Sequence, residues 1–362
     1  MSVIDCRCAR INTYVDDPLV MVAGSKQHRD MCFATVLLLW SCLSFPLSLS
    51  KAARGFDMVW IAGHFRSIQG GLAVGVKQEI VKDVLDTLER FLTGNVIAVK
   101  DLHTFVGKLI HLASLVYTVN PFLSEMHAAL YADPALSRAP PGCVWTKQIL
   151  TSLHWIRAFL TGAPGELTRR YLVSAYAGKG NRVEVNLDAS PWGMGGYLVV
   201  NSVVTSWFAT PLGAEEASLL HIEIGSAAAQ QCVEALAALI ALRAWHRWWH
   251  EQGAQLRVRS DSVSALVLVL RLKTKGKGAG IVAREIALDI AAACYEPTLA
   301  EHVPGLANTT CDILSRRYMP VKRDQAAREW RLPRMLCGIE PAVLAPRDAS
   351  YYRSLGPPPG TH

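Results

Sequence analysis

Length, composition and charge set the first limits on this chain. Its 362 residues are 51% hydrophobic and 19% charged, which suits two or three packed domains and excludes a wholly disordered protein. The net charge of +7 is uneven: residues 251–280 and 316–334 carry surpluses of +4 and +5, and the rest sums to −2. Such basic stretches indicate a polyanionic partner, such as nucleic acid or a membrane surface, or two solvated basic faces.

Cysteine usage and the apolar runs bear on the compartment. The nine cysteines are scattered and odd in number, which favours a reducing intracellular compartment, cytoplasmic or nuclear. The N-terminal residues lack the order of a signal peptide. The apolar run 33–50 is interrupted by Pro46 and contains four serines, so we expect a buried helix followed by a strand, and no membrane partner.

The first half of the chain is predicted to be mostly helical. Residues 9–23 have the pattern of two strands joined by a tight turn, and a helix is expected over 27–43. Short strands are expected near 47–49 and 58–62, and the Gly-rich segment 69–75 is loose enough to mark a boundary. The helices predicted after this segment are 77–92, 99–117, 121–132 and 146–160.

From residue 181 the pattern changes to that of a mixed α/β domain. Val183, Val185 and Leu187 alternate with polar residues, which is typical of a strand. The elements expected after this strand are strands 197–200 and 203–208, helix 226–250, strand 256–260, helices 262–272 and 281–295, strand 299–303 and helix 311–317. The Pro-rich tail after Pro320 is expected to be extended or poorly ordered.

Four acidic residues of this domain occupy positions that one sheet edge would bring together. Asp188 ends the first strand and Asp261 ends a central strand. Asp312 begins the last helix, and Glu234 lies on the long helix. Singly, each acid suits a turn, a helix N-terminus or a solvated position. Together they would repel unless protonated or bound to cations, and two Mg²⁺ ions would satisfy them and activate a water against a phosphodiester.

Four short segments carry a family resemblance. They begin at Asp188, Glu234, Arg259 and His302, and read Asp-Ala-Ser-Pro-Trp-Gly, Glu-Ala-Leu-Ala-Ala-Leu, Arg-Ser-Asp-Ser-Val-Ser-Ala-Leu and His-Val-Pro-Gly-Leu-Ala-Asn. Together they resemble the ribonuclease H domain of retroelement polyproteins. The resemblance implies an α/β fold, a ribonuclease H-like mixed sheet with flanking helices. It also implies hydrolysis of the RNA strand of RNA–DNA hybrids by two Mg²⁺ ions, or Mn²⁺ in their place.

The resemblance also implies roles for single residues. Asp188, Glu234, Asp261 and Asp312 would be catalytic and bind the metals, and His302 would assist proton transfer or product release. Glu223 is the alternative to Glu234. It precedes a Gly-Ser break, whereas Glu234 starts a long regular helical pattern, so Glu234 is preferred.

Loop residues are expected to contact the hybrid. Ser190 and Asn308 are expected near the 2′-hydroxyl that distinguishes RNA from DNA. Lys273, Lys275 and Lys277 lie in a loop between two predicted helices, where some ribonucleases H carry a basic protrusion. We expect these lysines to contact phosphates of the hybrid.

The motif Tyr14-Val-Asp-Asp17 lies in the predicted hairpin turn. With the downstream segments 46–63 and 101–130, it resembles the end of a reverse transcriptase palm followed by its thumb and connection. The chain therefore resembles the back half of a gypsy-type or DIRS-type retrotransposon polymerase, with Tyr14, Asp16 and Asp17 as a remnant of the polymerase motif. Only thirteen residues precede Tyr14, too few for the second acidic strand, so we expect no polymerase activity from this chain alone.

These interpretations divide the chain into four parts. We expect a truncated palm at 1–72, a mostly helical thumb and connection at 73–180, a ribonuclease H-like domain at 181–320 and a basic Pro-rich tail at 321–362. Two alternatives stay open, namely a non-catalytic, degenerate nucleic-acid-binding fragment and part of a longer active reverse transcriptase polyprotein. The sequence does not indicate an oligomeric state.

Overall fold

The computed structural model describes most of the chain. The described residues are 9–14, 17–61, 63–133, 139–162, 167–172, 181–249, 255–274, 276–293, 299–320 and 330–359. Within them the protein is a mixed α/β structure, with one mixed five-stranded sheet flanked by helices, an antiparallel four-stranded sheet and two short strand pairs.

The described part of the chain starts with a β-hairpin and a helix, as the sequence predicts. The helix is not the buried one that was expected, since Leu38 and Leu39 are exposed and its buried residues are Cys32 and Val36. Strands β1 (Ala9–Tyr14) and β2 (Asp17–Val22) are antiparallel, and Tyr14 pairs with Asp17 across the turn. Helix α1 (Lys26–Cys42) starts where the Ser25 hydroxyl accepts a hydrogen bond from the backbone N–H of His28. The prediction of a strand near 47–49 is wrong. Residues 49–51 form a 3-10 turn, because the N–H groups of positions 51 and 52 bond back to the carbonyls of positions 48 and 49.

An antiparallel sheet follows, made of β3 (Asp57–Trp60), β4 (Gly63–Ile68) and β5 (Gly71–Val76), with a distant fourth strand. The segment expected as a loose boundary is instead a hairpin turn and a strand. Gly70 has a φ of +74°, which suits glycine in so tight a turn. Position 72, where the sequence analysis ends the truncated palm, lies inside strand β5. The division of the chain into domains stays a prediction.

Helices form most of the next hundred residues, and their positions agree with the apolar periodicity. The elements are α2 (Gln78–Thr93), β6 (Val96–Ala98), α3 (Val99–Leu115), α4 (Asn120–Leu130), β7 (Cys143–Trp145), α5 (Leu150–Leu160) and β8 (Thr168–Leu172), the fourth strand of the antiparallel sheet. Leu88, Phe105 and Phe122 are fully buried between these helices, which fixes their packing.

The mixed sheet lies in the second half of the chain. Its strands are β9 (Arg182–Ser190), β10 (Gly193–Val200), β11 (Val203–Pro211), β12 (Gln255–Ser260) and β13 (Leu299–His302), in the spatial order β11-β10-β9-β12-β13. The first three are antiparallel, and β12 pairs in parallel with both β9 and β13. The helices are α6 (Ala214–Leu219), α7 (Gln230–Ala244), α8 (Val263–Arg271), α9 (Lys277–Ala293) and α10 (Thr309–Ser315). The predicted order of strands and helices is confirmed, with α6 added.

Helix α7 is the centre of this half. It packs against β9, β10, α8 and α9, and Ala237, Ala238 and Ala241 are completely buried. In the part of the chain that the structure describes, residues 227–244 are the one helical segment long and apolar enough to cross a membrane. Most of that segment is buried inside the protein, which accounts for its apolar composition.

Residues 330–359 of the tail form short 3-10 turns with little other regular structure and pack against the rest of the protein. Leu336, Tyr352 and Ser354 are buried, and the indole N–H of Trp207 donates to the carbonyl of Ile339 at 2.8 Å. The prolines of this segment led to the prediction of an extended tail. The apolar and aromatic side chains between the prolines pack against the mixed sheet and its helices.

Candidate active site

Strand pairing brings Asp188 and Asp261 to the same edge of the mixed sheet. Strands β9 and β12 are parallel neighbours, and Asn186 is opposite Arg259. Asp188 and Asp261 each follow that pair by two residues, so they lie side by side at the carboxyl end of β12. The loop after β13 also passes here, because a Cβ atom added to Gly305 would lie 3.3 Å from Asp261 Oδ2.

Helix α10 carries Asp312 to the same edge and is bonded to strand β9. The Asn308 side-chain amide donates to the carbonyl of Leu187 at 2.9 Å. The Ser315 hydroxyl donates to Asp188 Oδ2 at 2.6 Å, and the Ser190 hydroxyl donates to the carbonyl of Ser315 at 2.8 Å. These bonds hold the helix on the sheet. Ser190 and Asn308, expected to contact substrate, are therefore buried and have structural partners.

The electrostatics of Asp188 reflect the other two aspartates. Burial raises the pKa of Asp188 to about 7, the hydrogen bond from Ser315 lowers it, and the charges of Asp261 and Asp312 raise it further. The buried thiol of Cys311 has a pKa well above its usual value, chiefly through burial and then through the charges of Asp188 and Asp261. Three aspartates therefore influence each other electrostatically in one partly buried place.

Glu234 is linked by hydrogen bonds to the sequence neighbours of two of these aspartates. Its carboxylate accepts hydrogen bonds from the Gln230 side chain at 3.0 Å and from the Ser262 hydroxyl. Gln230 also donates to the carbonyl of Ala189 at 2.7 Å. Glu234 is thus linked to the residues that directly follow Asp188 and Asp261 in the sequence. Glu223, the alternative, is exposed in the turn before α7.

The remaining predicted site residues lie in several places. His302 is the exposed last residue of β13, opposite Ser260. Lys273 and Lys277 are exposed, and Lys277 begins α9 rather than lying in the loop. Tyr14 and Asp17 belong to the separate β1–β2 hairpin. Lys275 and Asp16 lie outside the described residues.

Part of the first basic stretch is neutralised within the sheet. Arg257 donates to Glu301 at 3.0 Å and lies 3.7 Å from Glu184. Arg259 makes contacts of 3.3 Å and 3.6 Å with the same two glutamates. This pairing could not be predicted from the sequence, because the acids come from β9 and β13 and the arginines from β12. These two arginines therefore add little net positive charge to the surface.

Three of the four acids are bonded to a neighbouring side chain, and the described acids do not close into a metal-binding group. Arg316 Nε donates to Asp312 Oδ1 at 2.5 Å, while Ser315 holds Asp188 and Ser262 holds Glu234. Among the described residues no three His, Cys, Asp or Glu side chains lie close enough to hold one metal ion. The donor chemistry nevertheless suits hard divalent cations, since carboxylate oxygens are their preferred ligands.

Ser315, Ser262 and Gln230 are site residues that the sequence interpretation missed. Each donates a hydrogen bond to one of the acids. Local spacing contained a partial signal, because Gln230 precedes Glu234 by one helical turn and Ser262 directly follows Asp261. The contact between Ser315 and Asp188 spans 127 residues and had no local signal.

Comparison with known proteins finds solved structures of low similarity to this chain. No family model matches the chain, and no curated protein matches it. The chain is similar to the foamy viral protease-reverse transcriptase dRH in complex with double-stranded DNA, at 13% identity and a TM-score of 0.34, over 81% of this chain and 46% of that one. A second foamy viral protease-reverse transcriptase complex with double-stranded DNA matches at 14% identity and a TM-score of 0.31, over 73% and 48%. The chain spans about half the length of these structures.

Proposed function

We propose that residues 181–320 form a ribonuclease H-type nuclease that cleaves the RNA strand of RNA–DNA hybrids. The observation that carries the proposal is the buried carboxyl of Asp188, whose pKa is raised to about 7 chiefly by burial and further by the charges of Asp261 and Asp312. A buried carboxylate with two acidic neighbours is stabilised in its charged form when divalent cations neutralise the group. A purely structural set would be expected to pair with internal arginines instead.

The four acids would hold two Mg²⁺ or Mn²⁺ ions. Ions bound there would activate the attacking water and stabilise the leaving oxygen of the phosphodiester. The residues of this chain would orient the ligands, with Ser315 fixing Asp188 and Ser262 fixing Glu234. His302 is exposed at the end of β13, where it is available for proton transfer.

The substrate side of the proposal rests on the groups around this edge. The exposed Lys273 and Lys277, together with Lys275 in the sequence between them, would contact phosphates. The backbone near Ser190 would lie beside the 2′-hydroxyl of the RNA strand, while the buried Asn308 would hold α10 in place through its bond to Leu187. The preceding part of the chain is proposed to be the palm, thumb and connection of a gypsy-type or DIRS-type reverse transcriptase, whether alone or in a longer polyprotein.

One observation favours a second function, a non-catalytic nucleic-acid-binding fragment. Arg316 neutralises Asp312, and the described acids do not form a three-ligand metal group. A nuclease that had lost its metals would keep its basic residues, and Ser315 and Ser262 would still donate hydrogen bonds to the acids. The two functions differ in whether hybrid is cleaved or only bound.

A hybrid-cleavage assay distinguishes them. We expect the full chain to cleave labelled RNA in an RNA–DNA hybrid with Mg²⁺ and not with EDTA, and to leave single-stranded RNA and duplex DNA intact. Asp188→Asn keeps an oxygen acceptor for Ser315 but should abolish cleavage. Asp86→Asn, an exposed change on α2, should not. Full cleavage by Asp188→Asn would mean that the catalytic site lies elsewhere. Binding of hybrid by the wild type without cleavage would favour the second function.

A further inference from the structure

A basic and aromatic surface lies beside the helix that carries Asp312. It consists of Arg317, Tyr318, Trp330 and Arg334, and is called here the Arg317 surface. The Trp330 indole N–H donates to the carbonyl of Ile313 in α10 at 2.9 Å. The surface is thereby fixed to the same short helix as Asp312.

The base of the surface is an apolar cluster. Leu336 is fully buried and packs with Trp207 and Leu314, and Trp330 packs against the same cluster. The Thr310 hydroxyl contacts the Met335 sulfur at 3.2 Å, which brings the turn containing Arg334 to the start of α10. The surface is therefore a built part of the fold, joined to α10 at two places.

Arg317 is held by stacking and keeps its hydrogen-bond donors available. Its guanidinium carbon lies 4.5 Å from the centre of the Trp330 ring and 5.5 Å from that of Tyr318. The Tyr318 hydroxyl donates to the carbonyl of Ala209 at 3.1 Å, which anchors that ring. Stacking of this kind holds the plane of a guanidinium while its N–H groups point outward. Arg317 is exposed, and no carboxylate of the described residues pairs with it.

The neighbouring arginines differ from Arg317 in this respect. Arg316 is bonded to Asp312, and Arg257 and Arg259 are paired with glutamates of the adjacent strands. Arg334 is exposed like Arg317, and within the described part of the chain it too has no carboxylate partner. Arg317 and Arg334 thus carry positive charge next to α10, the helix that contains Asp312, with no carboxylate partner among the described residues.

We infer that the Arg317 surface binds the phosphodiester backbone of a nucleic acid beside the acidic edge, with Arg317 as the main phosphate ligand. A polyanion at an edge lined by aspartates requires positive charge next to them. A planar guanidinium whose free donors face outward fits phosphate oxygens in pairs. The inference rests on the proposed function for the identity of the substrate and adds a site that positions it.

The test is equilibrium binding of the full chain to a fluorescent RNA–DNA hybrid in EDTA, over a range of salt concentrations. Arg317→Gln should weaken binding about tenfold and reduce the slope of log affinity against log salt by about one. Arg317→Lys should keep the slope and lose only part of the affinity, because charge remains while paired hydrogen bonding is lost. Arg90→Gln, an exposed change on α2, should match the wild type.

The outcomes separate this inference from the proposed function. If Arg317→Gln binds hybrid as the wild type does, with the same salt slope, the inference is wrong even when the protein cleaves hybrid. If the wild type binds but does not cleave with Mg²⁺, and Arg317→Gln weakens binding, the inference holds and the proposed nuclease does not. Circular dichroism of each variant confirms that the fold is retained.

Discussion

At the scale of single residues, Asp188 has an unusual carboxyl for its proposed role in the site. It is buried, it accepts a hydrogen bond from Ser315, and its pKa is raised to about 7 chiefly by burial. Metal binding to this carboxyl, as proposed, would compete with a proton near neutral pH. The protonation of one side chain therefore links the stability of the protein to its proposed activity.

The raised pKa of Asp188 predicts a pH dependence of stability. In the unfolded chain the carboxyl titrates near 4, so between about pH 4 and 7 the folded state holds a proton that the unfolded state has lost. The contribution of the protonated Asp188 carboxyl to the free energy of unfolding is complete below pH 4. It falls by at most about 1.4 kcal/mol per pH unit and is lost as the pH rises through 7. Unfolding of the wild type and of Asp188→Asn in EDTA should show their difference changing across this window. A constant difference would contradict the prediction.

Ser315 is expected to tune the same carboxyl. Its hydrogen bond lowers the pKa of Asp188, so Ser315→Ala should raise that pKa and move the acid limb of the cleavage profile to higher pH. The loss of one buried hydrogen bond should also cost about 1–3 kcal/mol of stability. Ser114→Ala, which removes an exposed hydroxyl bonded within α3, should leave the pH profile unchanged. A uniform fall in rate without a shift would indicate a purely structural role for Ser315.

At the scale of elements, patterns within one strand or helix predicted more than contacts between them. The alternation at Val183, Val185 and Leu187 predicted β9, since one face of that strand packs on a buried helix. Helix α6 was missed because its six residues are too short to show a helical period. The pairing of Arg259 with Glu301 depends on the register of two strands, which the sequence does not display.

Gly195 is where helix α10 approaches the sheet. A Cβ atom at this position would lie 2.3 Å from the Leu314 Cβ and 2.8 Å from the backbone of α10. Gly195→Ala should displace α10, cost about 1–3 kcal/mol of stability and weaken the contact between Ser315 and Asp188. Gly213→Ala is the matched control, because nothing lies within 4 Å of a Cβ atom there. Equal unfolding midpoints for the two variants would show that α10 can shift away from the sheet at little cost in stability.

At the scale of the whole molecule, the C-terminal segment joins both halves of the described chain. The Trp155 indole N–H in α5 donates to the carbonyl of Gly356 at 2.9 Å. Nearby, the backbone N–H of Ser354 donates at 2.6 Å to Glu285, a fully buried acid of α9. Composition alone could not reveal that the tail joins the two halves. The buried acids to which it donates hydrogen bonds, Glu285 and Glu216, lie 69 and 136 residues away in the sequence.

Glu216 gives the sharpest test of the tail. It is almost completely buried in α6, and its carboxylate accepts hydrogen bonds from Arg347 and from the Tyr352 hydroxyl, both at 2.7 Å. Breaking such a buried pair from one side costs about 3–5 kcal/mol, because a desolvated charge is left without its partner. Removing residues 341–362 should therefore lower the free energy of unfolding by several kcal/mol, measured by urea denaturation.

A second substitution identifies the cause. In the full chain, Glu216→Gln should destabilise the protein, because it leaves the Arg347 guanidinium without its charge partner. In the chain truncated after position 340, the same substitution should be neutral or stabilising, since an unpaired amide is cheaper to bury than an unpaired carboxylate. The difference between the two effects measures the coupling of Glu216 to the tail. An equal loss of stability in both backgrounds would mean that the tail acts through its apolar packing and not through this buried charge.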